Sequence, residues 1–233
     1  MQSALHMPVP FLSQLHELSG KLQHCHFACS FFARKLRDVY KCMNAPLDNF
    51  DHAKLHAGGE TVLGRRTRIY DKDFIFIPWC QDDHWTLFVV VRPGLQASRT
   101  LQQQIGFQSV AVEANGANTT ETDARCTGIL HLDSLSSTAA QKRTSEKLRR
   151  QATTLLKAYL NEGYWKGKEG DRELPRVDCF ANMPEIPVRA VQQPNYDDCA
   201  LYMLMNIRKF AEQGLLLKPS LESAEEGVGD WSR

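Results

Sequence analysis

Gln192-Gln193-Pro194-Asn195-Tyr196-Asp197-Asp198-Cys199 runs directly into Ala200-Leu201-Tyr202-Met203-Leu204-Met205-Asn206-Ile207-Arg208-Lys209-Phe210, and the character of the chain changes at the junction. The first half is turn chemistry. Pro194 fixes one φ, and Asn195 and the aspartates can bond their own backbone. The second half has the apolar spacing of a helix, with Gly214 as its expected stop. Cys199 therefore falls in the first helical turn, facing the positive end of the helix dipole, where a thiolate is favoured. The carboxylates of Asp197 and Asp198 oppose that effect unless they turn away to cap helix N–H groups. A free cysteine on an amphipathic helix is often only a small buried apolar residue. Alone, the stretch makes Cys199 a candidate nucleophile and no more.

Other parts of the chain carry groups that could work with it. Asp73-Phe74-Ile75-Phe76-Ile77-Pro78 and Trp85-Thr86-Leu87-Phe88-Val89-Val90-Val91 read as strands rich in β-branched and aromatic residues. The polar connection Trp79-Cys80-Gln81-Asp82-Asp83-His84 is short enough for a hairpin, so His84 is expected at a sheet end. Gly128-Ile129-Leu130-His131-Leu132-Asp133-Ser134-Leu135 reads as a third strand with Asp133 at its exit. A thiol protease needs a thiolate, an imidazole that takes and returns a proton, and a group that fixes the imidazole tautomer. Cys199, His84 and Asp133 could supply these from a helix start and two strand ends. Each also has an ordinary explanation, since a histidine in a turn is usually solvated and an aspartate after a strand usually begins a turn.

Taken in order along the chain, His84-Trp85, Asp133-Ser134-Leu135 and Gln192-Gln193-Pro194-Asn195 with Asp198-Cys199 resemble the Ulp/sentrin-specific cysteine proteases. Those enzymes process ubiquitin-like modifiers and cut them from their targets. Weaker likeness extends from about Phe11 to Phe210 and includes Phe31-Phe32-Ala33-Arg34-Lys35-Leu36. The resemblance implies an α+β, papain-like cysteine protease fold, a central mixed β-sheet flanked by helices. It implies Cys199 as nucleophile, His84 as general base and then acid, and Asp133 as the orienting carboxylate. Gln193 would be the side-chain donor of an oxyanion hole, and Trp85 would cover the channel that receives a Gly-Gly tail. The implied partner is a ubiquitin-like modifier, SUMO first, with its conjugates. Other readings of the same residues are a binding module that holds such a modifier without cutting it, a deneddylase or deubiquitinase, and an acyltransferase on the same triad.

The sequence departs from the family at Ala200, where glycine is usual after the cysteine, and at Tyr196, where Asn-Gly is usual. Nothing in Met1–Pro10 resembles the family's opening Trp-Leu-Asn-Asp-like segment, so that part of the groove is expected to be incomplete.

Composition fits a compact intracellular enzyme. The 233 residues, 42% of them hydrophobic, can bury a sizeable single core. A net charge of +1 gives no strong pull toward nucleic acid or membrane. No apolar run is long enough to span a bilayer and no signal peptide is evident. Seven irregularly spaced cysteines favour reduced thiols in cytoplasm or nucleus over a disulfide framework. The expectation is therefore a monomer with no cofactor.

One catalytic domain is expected over 1–217, with a disordered tail over 218–233. Residues 11–43 read as helix-rich, with Leu12, Leu15, Leu18 and Leu22 at helical spacing. Residues 44–68 read as loop. Residues 93–127 read as a polar, irregular insertion, with Ile105, Phe107, Val110 and Val112 as candidates for a short strand pair. Gln141 to Gly163 reads as a basic-then-apolar helix. His24-Cys25-His26 with Cys29 hints at zinc, but no second Cys/His pair follows at finger spacing, and one packed helix is the expected reading. Cys80 is a second candidate thiol that lacks both the helix start and the upstream glutamine.

Overall fold

The computed structural model describes residues 24–63, 68–105, 127–135, 138–168, 176–188 and 190–213. Its centre is a five-stranded mixed sheet in the order β1-β2-β3-β4-β5: Cys25–Phe27, Phe74–Gln81, His84–Val91, Gly128–Leu132 and Glu185–Val188. β1 lies parallel to β2, β2–β3–β4 form an antiparallel meander, and β5 lies parallel to β4. The helices are α1 Ser30–Met43, α2 His52–Leu63, α3 Pro93–Ile105, α4 Ala139–Gly167 and α5 Cys199–Gln213, with a short 3-10 turn at Ile69–Asp71. The α+β architecture read from the sequence is thus the observed one.

Strand alternation divides the core into two layers. Ile75, Ile77, Trp79, Phe88, Val90 and Ile129 face a large cluster built with α1 and α4. Phe76, Leu87, Val89, Val91, Leu130 and Leu132 face the other way, toward Met203, Ile207 and Phe210 of α5. Those three lie at i, i+4 and i+7, so one stripe of α5 is clamped to the sheet. At about 25 cal/mol per Å² of apolar surface, each such fully buried side chain stabilises the packing by roughly 1.5–3 kcal/mol.

Local signals set several helix ends. α1 stops at Asn44, which takes a left-handed φ of 49° and returns its N–H to Lys41 O. α4 starts in a capping box: Gln141 N donates to Thr138 Oγ1 at 3.2 Å, and Thr138 N donates to Gln141 Oε1 at 2.9 Å.

The structure corrects three expectations. Cys25 and His26 lie in β1, and the helix begins only after Cys29, so 24–29 is not one packed helix. Residues 52–63 are helix although 44–68 reads as loop. Gly58 and Gly59 suggest a loop, but they sit where side chains cannot. A Cβ on Gly58 would lie 2.5 Å from Val39 Cγ2, and one on Gly59 would lie 2.6 Å from Tyr159 Cε2. The glycines are the price of packing α2 closely on α1 and α4. Residues 93–105 are helix rather than irregular, and β5 was not anticipated. Phe107, Val110 and Val112, the leucines at 12–22, Gly214 and the tail fall outside the described residues. No helix among the described residues is long and apolar enough to cross a membrane.

Candidate active site

The site forms where three elements end together. The register Leu87↔Leu132 places the residue just past β4 beside the first residues of β3. Asp133 therefore emerges next to His84, the first residue of β3. His84 follows a two-residue turn in which Asp82 and Asp83 both take left-handed φ, 51° and 59°. This twist suits a tight hairpin and returns the chain in register, Gln81 opposite His84. From the other side of the sheet α5 brings Cys199, 4% exposed, as its first residue.

Asp133 is 4% exposed, and its Oδ1 lies 2.7 Å from His84 Nε2. The same oxygen accepts the Leu135 N–H at 2.9 Å. Burial alone would push the Asp133 carboxyl up, but hydrogen bonds from His84, Ser145 and the Leu135 N–H hold it below its ordinary value. A buried carboxylate that stays ionised is what fixes an imidazole tautomer. His84 Nδ1, also buried, has no hydrogen-bond partner among the described residues. The Cys199 thiol lies 3.9 Å from the carbonyl oxygen of Asp83, the residue before His84.

The loop before Cys199 is built as its sequence suggests. Asn195 Oδ1 accepts the N–H groups of Asp197 and Asp198, both at 3.1 Å. Asn195 Nδ2 donates to Asp198 Oδ2 at 2.7 Å, so that carboxylate is engaged by the loop. Tyr202 N then donates to Asp198 O at 3.0 Å, the first turn of α5. Tyr196 is absent from the left-handed residues, so the turn carries a bulky side chain without backbone strain.

Gln193 is buried at 7% exposure, and its side chain is held at both ends. Oε1 accepts from Ser134 Oγ at 2.7 Å, and Nε2 donates to Asn195 O at 2.6 Å. Gln193 N also donates to Ser134 O at 2.9 Å. Gln192 Nε2 donates to Asp133 O at 3.0 Å. The loop ahead of the cysteine is thus laced to the Asp133-Ser134 pair. Trp85 is half-buried and packs against the α5 layer, so it has a packing role whatever else it does.

The competing groups separate cleanly. Cys80 lies within β2 opposite Trp85, and burial pushes its thiol up, with Arg37 opposing and Asp83 and Cys199 adding to the rise. It is held protonated, a poor nucleophile. His131, two residues before Asp133, stacks on Phe88 at 4.4 Å and is pushed down to about 4, chiefly by burial. It is a neutral core ring rather than a base. No cluster of His, Cys, Asp or Glu among the described residues could hold a metal ion.

Sequence reasoning named Cys199, His84, Asp133 and Gln193, and the structure gathers them at one sheet end. It missed the parts played by Ser134, Ser145 and Gln192. The Asp-Ser and Gln-Gln pairs are visible in sequence, but the Ser134–Gln193 partnership spans 59 residues and no local spacing reveals it.

Comparison with known proteins adds the family. The model of the Ulp1 protease family, C-terminal catalytic domain, matches residues 3–220. The chain is 29% identical over 195 residues to a probable ubiquitin-like-specific protease 2B of Arabidopsis thaliana, covering 83% of this chain and 18% of the relative. It is 25% identical over 219 residues to sentrin-specific protease 7 of Homo sapiens, covering 84% of this chain and 20% of the relative. The chain thus matches only about a fifth of either relative's length. A crystal structure of a de-sumoylating protease superposes with a TM-score of 0.52 at 17% identity, over 88% of this chain and 61% of that one, a likeness of fold. With the family model spanning most of its length, the chain belongs to the Ulp1 protease family, as a C-terminal catalytic domain.

Proposed function

We propose that this chain is a thiol peptidase domain that cleaves after the Gly-Gly tail of a ubiquitin-like modifier, SUMO first among candidates. The observation that carries the reading is the state of the His84 ring. Nε2 is held by Asp133 at 2.7 Å, the buried Nδ1 has no partner among the described residues, and the Cys199 thiol lies 3.9 Å from the carbonyl oxygen of the preceding residue, Asp83. An imidazole fixed at one nitrogen and open at the other is what a cysteine nucleophile needs. The names of the relatives, proteases specific for sentrin and ubiquitin-like proteins, support the substrate class.

The chemistry then runs as follows. His84 Nδ1 takes the Cys199 proton, and Asp133 stabilises the imidazolium through Nε2–H. The thiolate attacks the carbonyl that ends the modifier. The oxyanion is held by the remaining Gln193 Nε2–H and the Cys199 N–H. His84 returns the proton to the departing lysine amine, leaving a thioester on Cys199. His84 then activates a water that hydrolyses the thioester and restores the thiol. Trp85 roofs the channel for the tail, which admits glycine because no β-carbon has to pass. The seven irregularly spaced cysteines favour a reducing compartment, cytoplasm or nucleus.

The test is turnover of a SUMO–lysine isopeptide conjugate by the chain and by Cys199→Ala and Cys199→Ser. Loss of cleavage in both variants, with unfolding curves unchanged, supports the reading. Retained cleavage moves the nucleophile elsewhere. A folded parent chain that binds SUMO and never cuts it supports the binding-module alternative.

A further inference from the structure

We infer that Ser134 is a positioning residue for the oxyanion donor, setting the orientation of the Gln193 amide. The inference rests on the reading of Gln193 above and extends it. A glutamine amide has one accepting oxygen and one nitrogen with two N–H donors. A backbone carbonyl can only accept, so the end of the side chain that meets Asn195 O at 2.6 Å must be the NH2 group. The other end is then the oxygen, and the Ser134 hydroxyl at 2.7 Å must donate to it. The orientation thus follows from the chemistry of the two partners. One N–H is consumed by Asn195, which leaves one for a developing oxyanion.

Ser134 grips the same residue at its main chain, where Gln193 N donates to Ser134 O at 2.9 Å. Both side chains are buried, at 2% and 7% exposure, so no bulk solvent competes for the serine–glutamine bond. A rotated or flipped amide would present lone pairs to the oxyanion where a donor is needed. A hydroxyl bonded to Oε1 also draws charge toward that oxygen and makes the amide N–H a better donor. The neighbouring Asp133 orients the imidazole of His84. One dipeptide at the end of β4 therefore sets both groups that act on Cys199 chemistry: Asp133 sets the proton carrier and Ser134 the oxyanion donor.

Two measurements on the full chain test this separately from the role of Gln193. The first is the side-chain amide signal of Gln193 in 15N NMR, assigned by its disappearance in Gln193→Ala. In Ser134→Ala its two protons should move toward the positions of a free glutamine, whereas Ser134→Thr, which keeps the hydroxyl, should retain the parent pattern. An unchanged signal in Ser134→Ala overturns the positioning claim whatever the kinetics show. The second is kcat and KM on SUMO carrying a C-terminal fluorogenic amide. Ser134→Ala should lower kcat about tenfold, the effect of one hydrogen bond of ordinary net strength, and leave KM in place. In a Gln193→Ala background the same change should do nothing further. An equal loss in both backgrounds overturns the claim. A Gln193→Ala enzyme at full rate removes Gln193 from the mechanism, and with it the functional part of the inference. Should Ser134→Ala fail to fold, Ser134→Cys, close in size but a weaker donor, should show the same kcat loss in smaller degree. Parent-level kcat there overturns the claim.

Discussion

The imidazole of His84 meets Asp133 through Nε2, at 2.7 Å, and its buried Nδ1 has no partner among the described residues. That division of the two ring nitrogens fixes which one carries the proton in the neutral ring and leaves the other open to take one up. Removing the carboxylate should therefore damage the chemistry more than the binding. Asp133→Ala is expected to lower kcat by about 10²–10⁴-fold, the range general acid–base catalysis contributes. Asp133→Asn should also cost a large factor in kcat, because an amide can donate to the ring and favour the wrong imidazole tautomer. Steady-state kinetics on both variants checks this, and an unchanged rate in either would remove Asp133 from the mechanism.

His131 gives the fold a pH dependence of definite sign. Its folded pKa is about 4, against 6.5 for an unperturbed histidine. The unfolded chain thus binds a proton in that window that the folded one refuses. Stability from the buried neutral ring is fully present above 6.5 and is lost as pH falls toward 4. His26 and His56 are shifted down by burial as well and add to the trend. Urea midpoints should fall between pH 7 and pH 4.5, and His131→Phe should flatten part of that fall while preserving the stack on Phe88. The same slope in the variant would assign the effect to other groups.

Gly59 is a packing residue, so a better helix former should harm the protein. Its missing Cβ would lie 2.6 Å from Tyr159 Cε2 and 2.9 Å from Leu36 Cδ2. Alanine gains up to about 1 kcal/mol of helix propensity over glycine. Overpacking in a tight core typically costs about 1–3 kcal/mol. Gly59→Ala should therefore lower stability in chemical denaturation, and a more stable variant would mean that α1, α2 and α4 can move apart freely.

The hairpin tip makes the opposite test. Asp82 and Asp83 hold left-handed φ without being glycine. Asp82→Asn with Asp83→Gly gives the residue pair this turn prefers and should add up to about 1–2 kcal/mol. Because the Asp83 carbonyl lies 3.9 Å from the Cys199 thiol, kcat should be measured alongside. A loss of stability would show that the aspartates make contacts that the backbone account omits.

These relationships explain what the sequence could and could not disclose. The antiparallel β2–β3 pair was legible because apolar alternation and a polar two-aspartate turn leave little choice. The junction at Cys199 was legible because Asn195 and Pro194 state a turn and the apolar spacing states a helix. α2 was not, because Gly58 and Gly59 are there for the neighbours Val39, Leu36 and Tyr159, which no local window contains. β5 was not, because Glu185-Ile186-Pro187-Val188 is short, carries a proline and becomes a strand only by lying along β4. Among the site residues, Ser134 and Ser145 gain meaning only from long-range partners.

If Cys199 is a working nucleophile for the C-terminus of a ubiquitin-like modifier, it should be trapped by one. The purified chain is exposed to SUMO, the NEDD-type modifier and ubiquitin, each ending in a thiol-reactive electrophile, and its intact mass is read. One covalent adduct is expected, with SUMO, absent in Cys199→Ala. No adduct of a folded chain with any of the three, or an adduct that survives Cys199→Ala, would rule Cys199 out as that nucleophile.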